Sequence, residues 1–141
     1  MNNKRDNGSA LYNNEHVFVK IEWGHKRVCI HDIVYLEAQQ NYCVIHLLKG
    51  NEKSRMMVTV PMCEVLEDLN PDLFDRIHRS YAVNIEHINV IAGYMVQMDN
   101  GKDINIGREY RNNLEDMFVF IGSRKRVKEK KFKTDNHRQD G

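Results

Sequence analysis

The sequence predicts a mostly β domain made of antiparallel strands, with two short helices. Short runs in which apolar and polar residues alternate recur from Val17 onward, and turn signals separate them. Strands do not alternate with helices in the βαβ pattern that a parallel sheet would require. The chain has 141 residues, of which 41% are hydrophobic and 9% aromatic, which is enough for one ordinary domain with a packed core.

A series of extended segments is predicted in the first half of the chain. In the first of them Val17, Val19 and Ile21 alternate with Phe18, Lys20 and Glu22 and would share one side of a strand. The turn signals at residues 23–25 and 49–51 each contain a glycine. We therefore predict five strands, over residues 17–21, 27–31, 33–36, 42–48 and 54–60.

A short helix is predicted after these strands. Pro61 would occupy its first turn, where the missing backbone N–H does no harm. Val65, Leu66 and Leu69 then recur at helical spacing. The dipeptide Asn70-Pro71 ends the run, because the residue before a proline disfavours the helical conformation.

Further hairpins are predicted in the second half of the chain. Strands over residues 88–92 and 94–98 would be separated by a turn at Gly93. The dipeptide Asn100-Gly101 readily takes the positive φ angles of a type I′ turn and predicts a tight hairpin. A returning strand follows around Ile104. In the whole domain we expect about nine short strands.

A second helix over residues 108–120 is predicted to close the domain. Its apolar side chains recur at intervals of three or four residues: Tyr110, Leu114, Met117 and Phe118. The polar, Asn-rich segment 1–15 is expected to be a flexible lead-in. The charged segment 121–141 is expected to be a flexible basic tail. The folded domain is therefore predicted over residues 16–120.

Charge is distributed unevenly along the chain. From Ser123 onward there are eight Lys or Arg residues against three Asp or Glu residues, a net charge of +5. Of the 21 basic and 20 acidic residues in the whole chain, 13 and 17 then remain in residues 1–122, a net charge of −4. A mildly acidic domain can bind nucleic acid only if its positive charge is concentrated on one face.

Several kinds of chemistry are absent from the sequence. Cys29, Cys43 and Cys63 are odd in number and lack Cys-x-x-Cys spacing, which argues against a disulfide framework and a zinc site. The seven histidines lack metal-ligand spacing, and no nucleotide-binding or nucleophile-elbow motif occurs. We therefore expect no enzymatic activity, no metal and no cofactor. On the first predicted helix we expect only a solvated acidic face, formed by Glu64, Glu67 and Asp68.

The sequence also bears on location. No uncharged apolar run approaches the ~18–20 residues that a membrane span needs. The first residues contain no apolar segment of the kind that a secretory signal requires. We expect a cytoplasmic protein that does not contact a membrane.

The most informative segment is residues 74–84, FDRIHRSYAVN. It is preceded by DIVYLEA at 32–38 and NY at 41–42, and followed by the Asn100-Gly101 turn and by IGREYR at 106–111. These segments have the order and spacing of the LytTR DNA-binding domain. The signature of that family pairs F-x-R-x-H-R-S-[YF]-x-V-N with a later hairpin and a small-residue-Arg-x-Tyr element. Residues 16–120 resemble this family of bacterial regulators.

The resemblance implies a fold and a function. It implies elongated antiparallel sheets that read duplex DNA from loops in neighbouring major grooves, without a recognition helix. Family members typically bind imperfect direct repeats near promoters, so a homodimer on DNA is a further expectation. The LytTR domain usually follows a receiver or membrane module. Because residues before Val17 leave no room for a receiver, we expect a stand-alone transcriptional regulator.

The resemblance and the residue types together nominate DNA contacts. An Arg guanidinium can bind the O6 and N7 atoms of guanine or bridge phosphates, and Arg79 and Arg108 are the leading candidates. The glycine at 107 would allow close approach, and the first N–H groups of the helix after it could meet a phosphate. The predicted contacts are Arg79, Arg108, Asn41, Gln40, His78, Arg76, Arg111 and Gly107.

Each candidate has a structural alternative. An arginine at a strand end is often only solvated, and the amides of Gln39, Gln40 and Asn41 need no ligand in a polar loop. Arg76 and His78 could orient the loop instead of reading bases. Asn84 is expected to tie off a turn. Packing roles in the core are expected for four aromatic residues: Tyr42, Phe74, Tyr81 and Tyr110.

A second class of function also fits the sequence. A LytTR-like domain could act as a protein-interaction module that modulates a partner regulator without strong DNA binding. Such a module would scatter its arginines at 76, 79, 108 and 111 over different faces. A small-molecule hydrolase would need a nucleophile and base pair, which the sequence does not offer.

Overall fold

The computed structural model describes residues 15–111, 114 and 116–122. The chain divides into two compact units, residues 1–111 and 112–141, and all the strands lie in the first. The lead-in predicted over 1–15 and the tail predicted over 121–141 fall almost entirely outside the described residues, and both stay predictions. In the described part there are ten strands: β1 (His16–Ile21), β2 (Gly24–Cys29), β3 (Ile33–Gln39), β4 (Tyr42–Lys49), β5 (Glu52–Val58), β6 (Phe74–His78), β7 (Tyr81–Asn84), β8 (Ile88–Ala92), β9 (Met95–Met98) and β10 (Asp103–Asn105).

These strands form three sheets, and every pairing is antiparallel. The largest has five strands in the order β5-β4-β3-β7-β6. The second is the hairpin β1-β2, and the third has the order β10-β9-β8. The prediction of a mostly β, antiparallel fold is confirmed.

One face of the five-stranded sheet forms the main core. Because side chains alternate along a strand, Leu36 on β3, Cys43 and Ile45 on β4 and Ala82 on β7 share this face and are fully or almost fully buried. They pack against Val19 of β1 and against other apolar side chains of the hairpin and the helix. This packing holds the five-stranded sheet, whose strands are connected by the turns at 40–41 and 79–80.

The helix that the sequence predicts is present. Helix α1 spans Met62–Glu67, and Pro61 stands at its N-cap, where no backbone N–H is needed. Asn70 begins the turn that leads into β6, because its carbonyl accepts from the N–H groups of Leu73 and Phe74. Among the described residues no helix is long and apolar enough to cross a bilayer.

The prediction of a helix over residues 108–120 is wrong. Its first residues form a single 3-10 turn, Arg108–Tyr110, and the described residues 111, 114 and 116–120 are in turns, bends or irregular backbone. The other members, 112, 113 and 115, lie outside the described residues. Two more 3-10 turns span Ile30–Asp32 and Ile85–His87. The spacing of apolar side chains therefore identified the buried Leu114, but Met117 is exposed and the spacing did not determine the hydrogen-bonding pattern.

The strands differ from prediction in detail. Strand β2 begins at Gly24, directly after the turn, and gives way to a 3-10 turn at Ile30. Strands β6 and β7 were not predicted as strands, because each has only four or five residues and their alternation is short.

The Asn100-Gly101 hairpin exists, but its turn is not type I′. Gly101 has φ 94, whereas Asn100 is not among the residues with positive φ. The Gly101 N–H donates to the carbonyl of Met98, and the Lys102 N–H donates to the side-chain oxygen of Asn100. A type I′ turn would need a positive φ at both central residues.

Candidate nucleic-acid interface

Arg79 lies in the tight turn between β6 and β7. The side chain of Arg76 holds this turn, because its Nε donates to the His78 carbonyl over 3.3 Å and its Nη2 donates to the Arg79 carbonyl. The Ser80 N–H donates to His78 Nδ1 over 3.0 Å. Arg76 and His78 are thus bonded to the backbone of the turn, while the side chain of Arg79 is exposed.

Arg108 is held next to this turn by the backbone of Gly107. The Gly107 N–H donates to the Ile77 carbonyl over 2.7 Å, and the Gly107 carbonyl accepts from Tyr110 N–H over 2.9 Å. The first bond ties the segment to β6, and the second closes the 3-10 turn that carries Arg108, whose side chain is exposed. Arg79 and Arg108 therefore stand on two adjoining backbone segments.

Close packing explains the glycine at position 107. Its φ is −64, which any residue adopts. A Cβ there would lie 3.6 Å from His78 Cα and 3.2 Å from Tyr110 Cδ2. The second distance is tight enough to require the Tyr110 ring to move, so the position favours glycine for reasons of space.

The turn between β3 and β4 lies beside the Arg79 turn. The Ala38 N–H donates to the Ser80 carbonyl over 2.9 Å, so the end of β3 reaches the Arg79 turn. The turn residues Gln40 and Asn41 are exposed. Gln40 has φ 51, the single positive φ of a non-glycine residue among the described residues. Such a conformation costs about 1–3 kcal/mol, and the pairing of Gln39 with Tyr42 holds it in place.

Arg111 is placed differently from the other candidates. Its guanidinium carbon lies 3.9 Å from the ring centroid of Tyr94, which is a cation–π contact. Its Nε is buried and has no hydrogen-bond partner. The half-buried Arg111 thus packs on the turn between β8 and β9, and its side chain is not free to the same extent as those of Arg79 and Arg108.

A polar and aromatic cluster behind the loops was not predicted from the sequence. His46 Nε2 and Glu37 Oε1 are 2.9 Å apart, and the His46 ring stacks on Tyr35 with centroids 4.1 Å apart. Tyr81 lies between Tyr35 and His78, at 5.9 and 5.5 Å. Lys102 Nζ is 5.4 Å from the Tyr81 ring. Lys102 therefore adds a positive charge close to the Arg79 turn, which no local motif indicates.

The hydrogen-bonded pair in this cluster, His46 and Glu37, has shifted pKa values. Burial lowers the pKa of His46, and this outweighs its hydrogen bond with Glu37. For Glu37, burial raises the pKa, but hydrogen bonds from His46 and Gln39 outweigh it and the pKa is lowered. At neutral pH the pair is therefore a neutral imidazole that donates to a carboxylate.

These shifts predict that the protein loses stability on acidification. The unfolded chain binds a proton at His46 as the pH falls through about 6.5, whereas the folded chain resists until its lower pKa, so the free energy of unfolding falls with pH in that window. Glu37 adds a further loss as the pH falls through about 4.3. We expect His46→Gln, which keeps a donor but does not titrate, to reduce the loss just below pH ~6.5 in denaturant titrations.

His31 supplies the control for this prediction. A hydrogen bond with Glu86 raises the pKa of this exposed side chain against a small effect of burial. Its contribution is present at low pH and is lost as the pH rises through the raised pKa. His31→Gln should therefore not reduce the decrease in the free energy of unfolding that acidification causes. If both variants reduced this decrease equally, the assignment to His46 would be contradicted.

The geometry places two exposed arginines, Arg79 and Arg108, on adjoining segments of an antiparallel β domain. Clustered positive charge of this kind is typical of nucleic-acid-binding modules. Residues 24–118 match the LytTr DNA-binding domain family. The chain belongs to this family, as the motif at 74–84 led us to expect.

Individual relatives agree with the family. The chain is 30% identical to the transcriptional regulatory protein LytR of Staphylococcus aureus (strain N315), over 61% of this chain and 39% of LytR. It is 32% identical to the CO-responsive transcriptional regulator RcoM of Rhodospirillum rubrum, over 54% of this chain and 33% of RcoM. The chain thus spans about two fifths or less of these relatives.

A solved structure supports the fold. The chain is similar to the LytTr DNA-binding domain of a putative methyl-accepting/DNA response regulator from Bacillus cereus, with a TM-score of 0.61 and 25% sequence identity. The similarity covers 75% of this chain and 98% of the other.

Proposed function

We propose that this protein is a transcriptional regulator that binds specific duplex sequences through its loops. The observation that carries the proposal is the Gly107 N–H bond to the Ile77 carbonyl. It sets two exposed arginines, Arg79 and Arg108, on adjoining segments, where each guanidinium is free to bind a guanine edge in a major groove. Relatives named as transcriptional regulators support this reading.

The proposal assigns three roles to these residues. Arg79 and Arg108 contact bases. Gln40 and Asn41, on the neighbouring turn, contact bases or the backbone through their amides. Arg76 and His78 position the Arg79 turn. The phosphate contact expected at the N-terminus of a helix after Gly107 is not proposed. A three-residue 3-10 turn replaces that helix, and the Gly107 N–H already donates to the Ile77 carbonyl.

The proposed DNA target is an imperfect direct repeat, bound by two copies of the chain. Selection of duplexes from a random pool with the purified chain tests this directly. We expect enriched sequences with two similar half-sites in the same orientation. Failure to enrich any sequence would favour the alternative, a protein-interaction module that modulates a partner regulator. Arg76, Arg79 and Arg108 lie on adjoining segments, which favours DNA binding over the protein-interaction module. Arg111 is the exception, because it packs on Tyr94.

Arg76→Lys tests the positioning role. Lysine keeps the charge but cannot donate to the carbonyls of His78 and Arg79 as a planar fork does. We expect affinity for the selected site to fall by roughly 1 kcal/mol, the net value of one such bond, while the salt dependence of binding stays unchanged. In a double-mutant cycle, Arg79→Ala should lower the binding free energy for the selected site by less in the Arg76→Lys background than in the wild type. Additive losses would mean that Arg76 acts independently of the turn.

The basic segment after Gly122 should contribute affinity without specificity. It carries a net charge of +5 and a single Phe, Tyr or Trp residue, Phe132, so it can neutralise phosphates but offers little to read bases. Each neutralised phosphate contributes about −0.9 to the slope of log K against log salt. Deleting residues 123–141 should flatten that slope and weaken selected and random duplexes by a similar factor. An unchanged slope would mean that the segment does not contact DNA.

A further inference from the structure

A long cleft lies outside the loops that carry the DNA proposal. It has a volume of about 770 Å³ and is bounded by β1, by the end of β5 with the residues after it, and by α1. Residues 17–22 line it consecutively, and so do residues 57–60. Because successive side chains of a strand point to opposite faces, a strand that lines a cleft with consecutive residues presents its edge to it.

Both strands at this cleft have a free edge. In the described part of the chain β1 pairs with β2 alone, and β5 pairs with β4 alone. An unpaired edge offers a row of N–H and C=O groups to any further extended segment. The cleft therefore has the hydrogen-bonding groups that an added strand needs.

The cleft has an apolar floor and apolar rims. Ile45, Val58, Val65 and Leu69 line the floor and are buried or half-buried. At the rims Phe18 is 63% exposed and Met57 52% exposed. An added strand could place alternate side chains on this surface and cover both rim residues.

The charge around the cleft is acidic. Glu22, Glu64, Glu67 and Asp68 line it and are exposed, against one lysine, Lys20. In the part of the chain that the structure describes, none of the four carboxylates has an ion-pair or hydrogen-bond partner. Nucleic acid would be repelled here. A second copy of β1 would bring a single lysine, Lys20, with Glu22 directly after the strand, and so little complementary charge.

We propose that the cleft binds an extended segment of a partner protein in which apolar and basic side chains alternate. The segment adds to the free edge of β1 as a strand. Its apolar side chains lie on the floor and its basic side chains face the carboxylates of α1. The cleft does not include the loops at 40–41, 79–80 and 107–108, so recruitment of a second protein here does not depend on the proposed function.

A defined peptide tests the proposal. The probe is a capped peptide of about eight residues, the length of an ordinary strand, in which lysine and valine alternate. We expect saturable binding to the full chain, with amide shifts confined to residues 17–22 and 57–69. A peptide with glutamate in place of lysine should not bind. A lysine-valine peptide with alternate N-methylated amides should lose binding, because it cannot donate along its edge.

Variants of the chain complete the test. Replacing both Glu64 and Glu67 by lysine should lower the affinity for the lysine-valine peptide by about tenfold. Replacing the exposed acids Glu52 and Asp103 by lysine should leave that affinity unchanged, because neither residue lines the cleft. Both variants should keep their affinity for the selected duplex. Equal weakening by the two reversals, shifts centred on the loops at 40–41 and 79–80, or occupation of the cleft by a second copy of the chain in sedimentation and shift mapping would overturn the proposal.

Discussion

Replacing either Arg79 or Arg108 by alanine is expected to weaken binding to the selected site by about 1–3 kcal/mol, the discrimination that a bidentate arginine–guanine contact supplies. This corresponds to roughly 5–150-fold in Kd. The ratio of specific to random binding should fall along with the affinity, because the lost contact is to a base. Titrations of a selected and a scrambled duplex at one salt concentration measure both quantities.

Two further substitutions make this result interpretable. Arg108→Lys keeps the charge without the fork, so it should lose specificity while the salt slope stays near that of the wild type. Arg27→Ala removes an exposed arginine from β2, away from the loops, and should leave the ratio unchanged. If Arg79→Ala and Arg108→Ala both bound the selected site as tightly as Arg27→Ala, the assignment of the site would be wrong.

Asn84→Ala is expected to lower the free energy of unfolding substantially. Asn84 is fully buried. Its Nδ2 donates to the Ile33 carbonyl over 2.9 Å, and its Oδ1 accepts from Glu86 N–H over 2.9 Å. Alanine would leave both backbone groups without this partner, at a cost of about 1–3 kcal/mol for each group that stays buried. Equilibrium unfolding in urea measures the change.

The matched control is Asn105→Ala, on an exposed position of β10. Surface substitutions of this kind usually change the free energy of unfolding by less than about 0.5 kcal/mol. Asn84→Asp keeps the acceptor for Glu86 but replaces the donor, so it should be destabilised at neutral pH and partly recover as the carboxyl is protonated. A stability of Asn84→Ala equal to that of Asn105→Ala would show that the two bonds contribute nothing.

The sequence predicted strands well where alternation and turn residues agreed. Strands β1, β3, β4, β8 and β9 lie close to their predicted ranges, and Asn84 ties off a turn as expected. The turn type at Asn100 was wrong, because the Asp99 N–H bonds to the distant His87 carbonyl and the Asn100 side chain accepts from Lys102. Contacts from other strands thus decided a conformation that the dipeptide alone favoured differently.

The candidate site was predictable as a set of residues but not as an arrangement. The motif identified Arg79 and Arg108, yet their proximity depends on the bond between Gly107 and Ile77, which are 30 positions apart in the chain. Local patterns carry no information on such a pair. For the same reason they did not indicate that Arg111 would pack on Tyr94 or that Lys102 would lie over Tyr81.

If the turns at 40–41, 79–80 and 107–108 form one DNA-binding surface, a selected duplex should perturb all three together. Mapping of backbone amide shifts of the full chain during titration with that duplex observes every turn at once. We expect the largest changes on all three turns and none at residues 17–22 and 57–69. Changes concentrated on the cleft, or absent from the turns at 79–80 and 107–108, would contradict a single DNA-binding surface there.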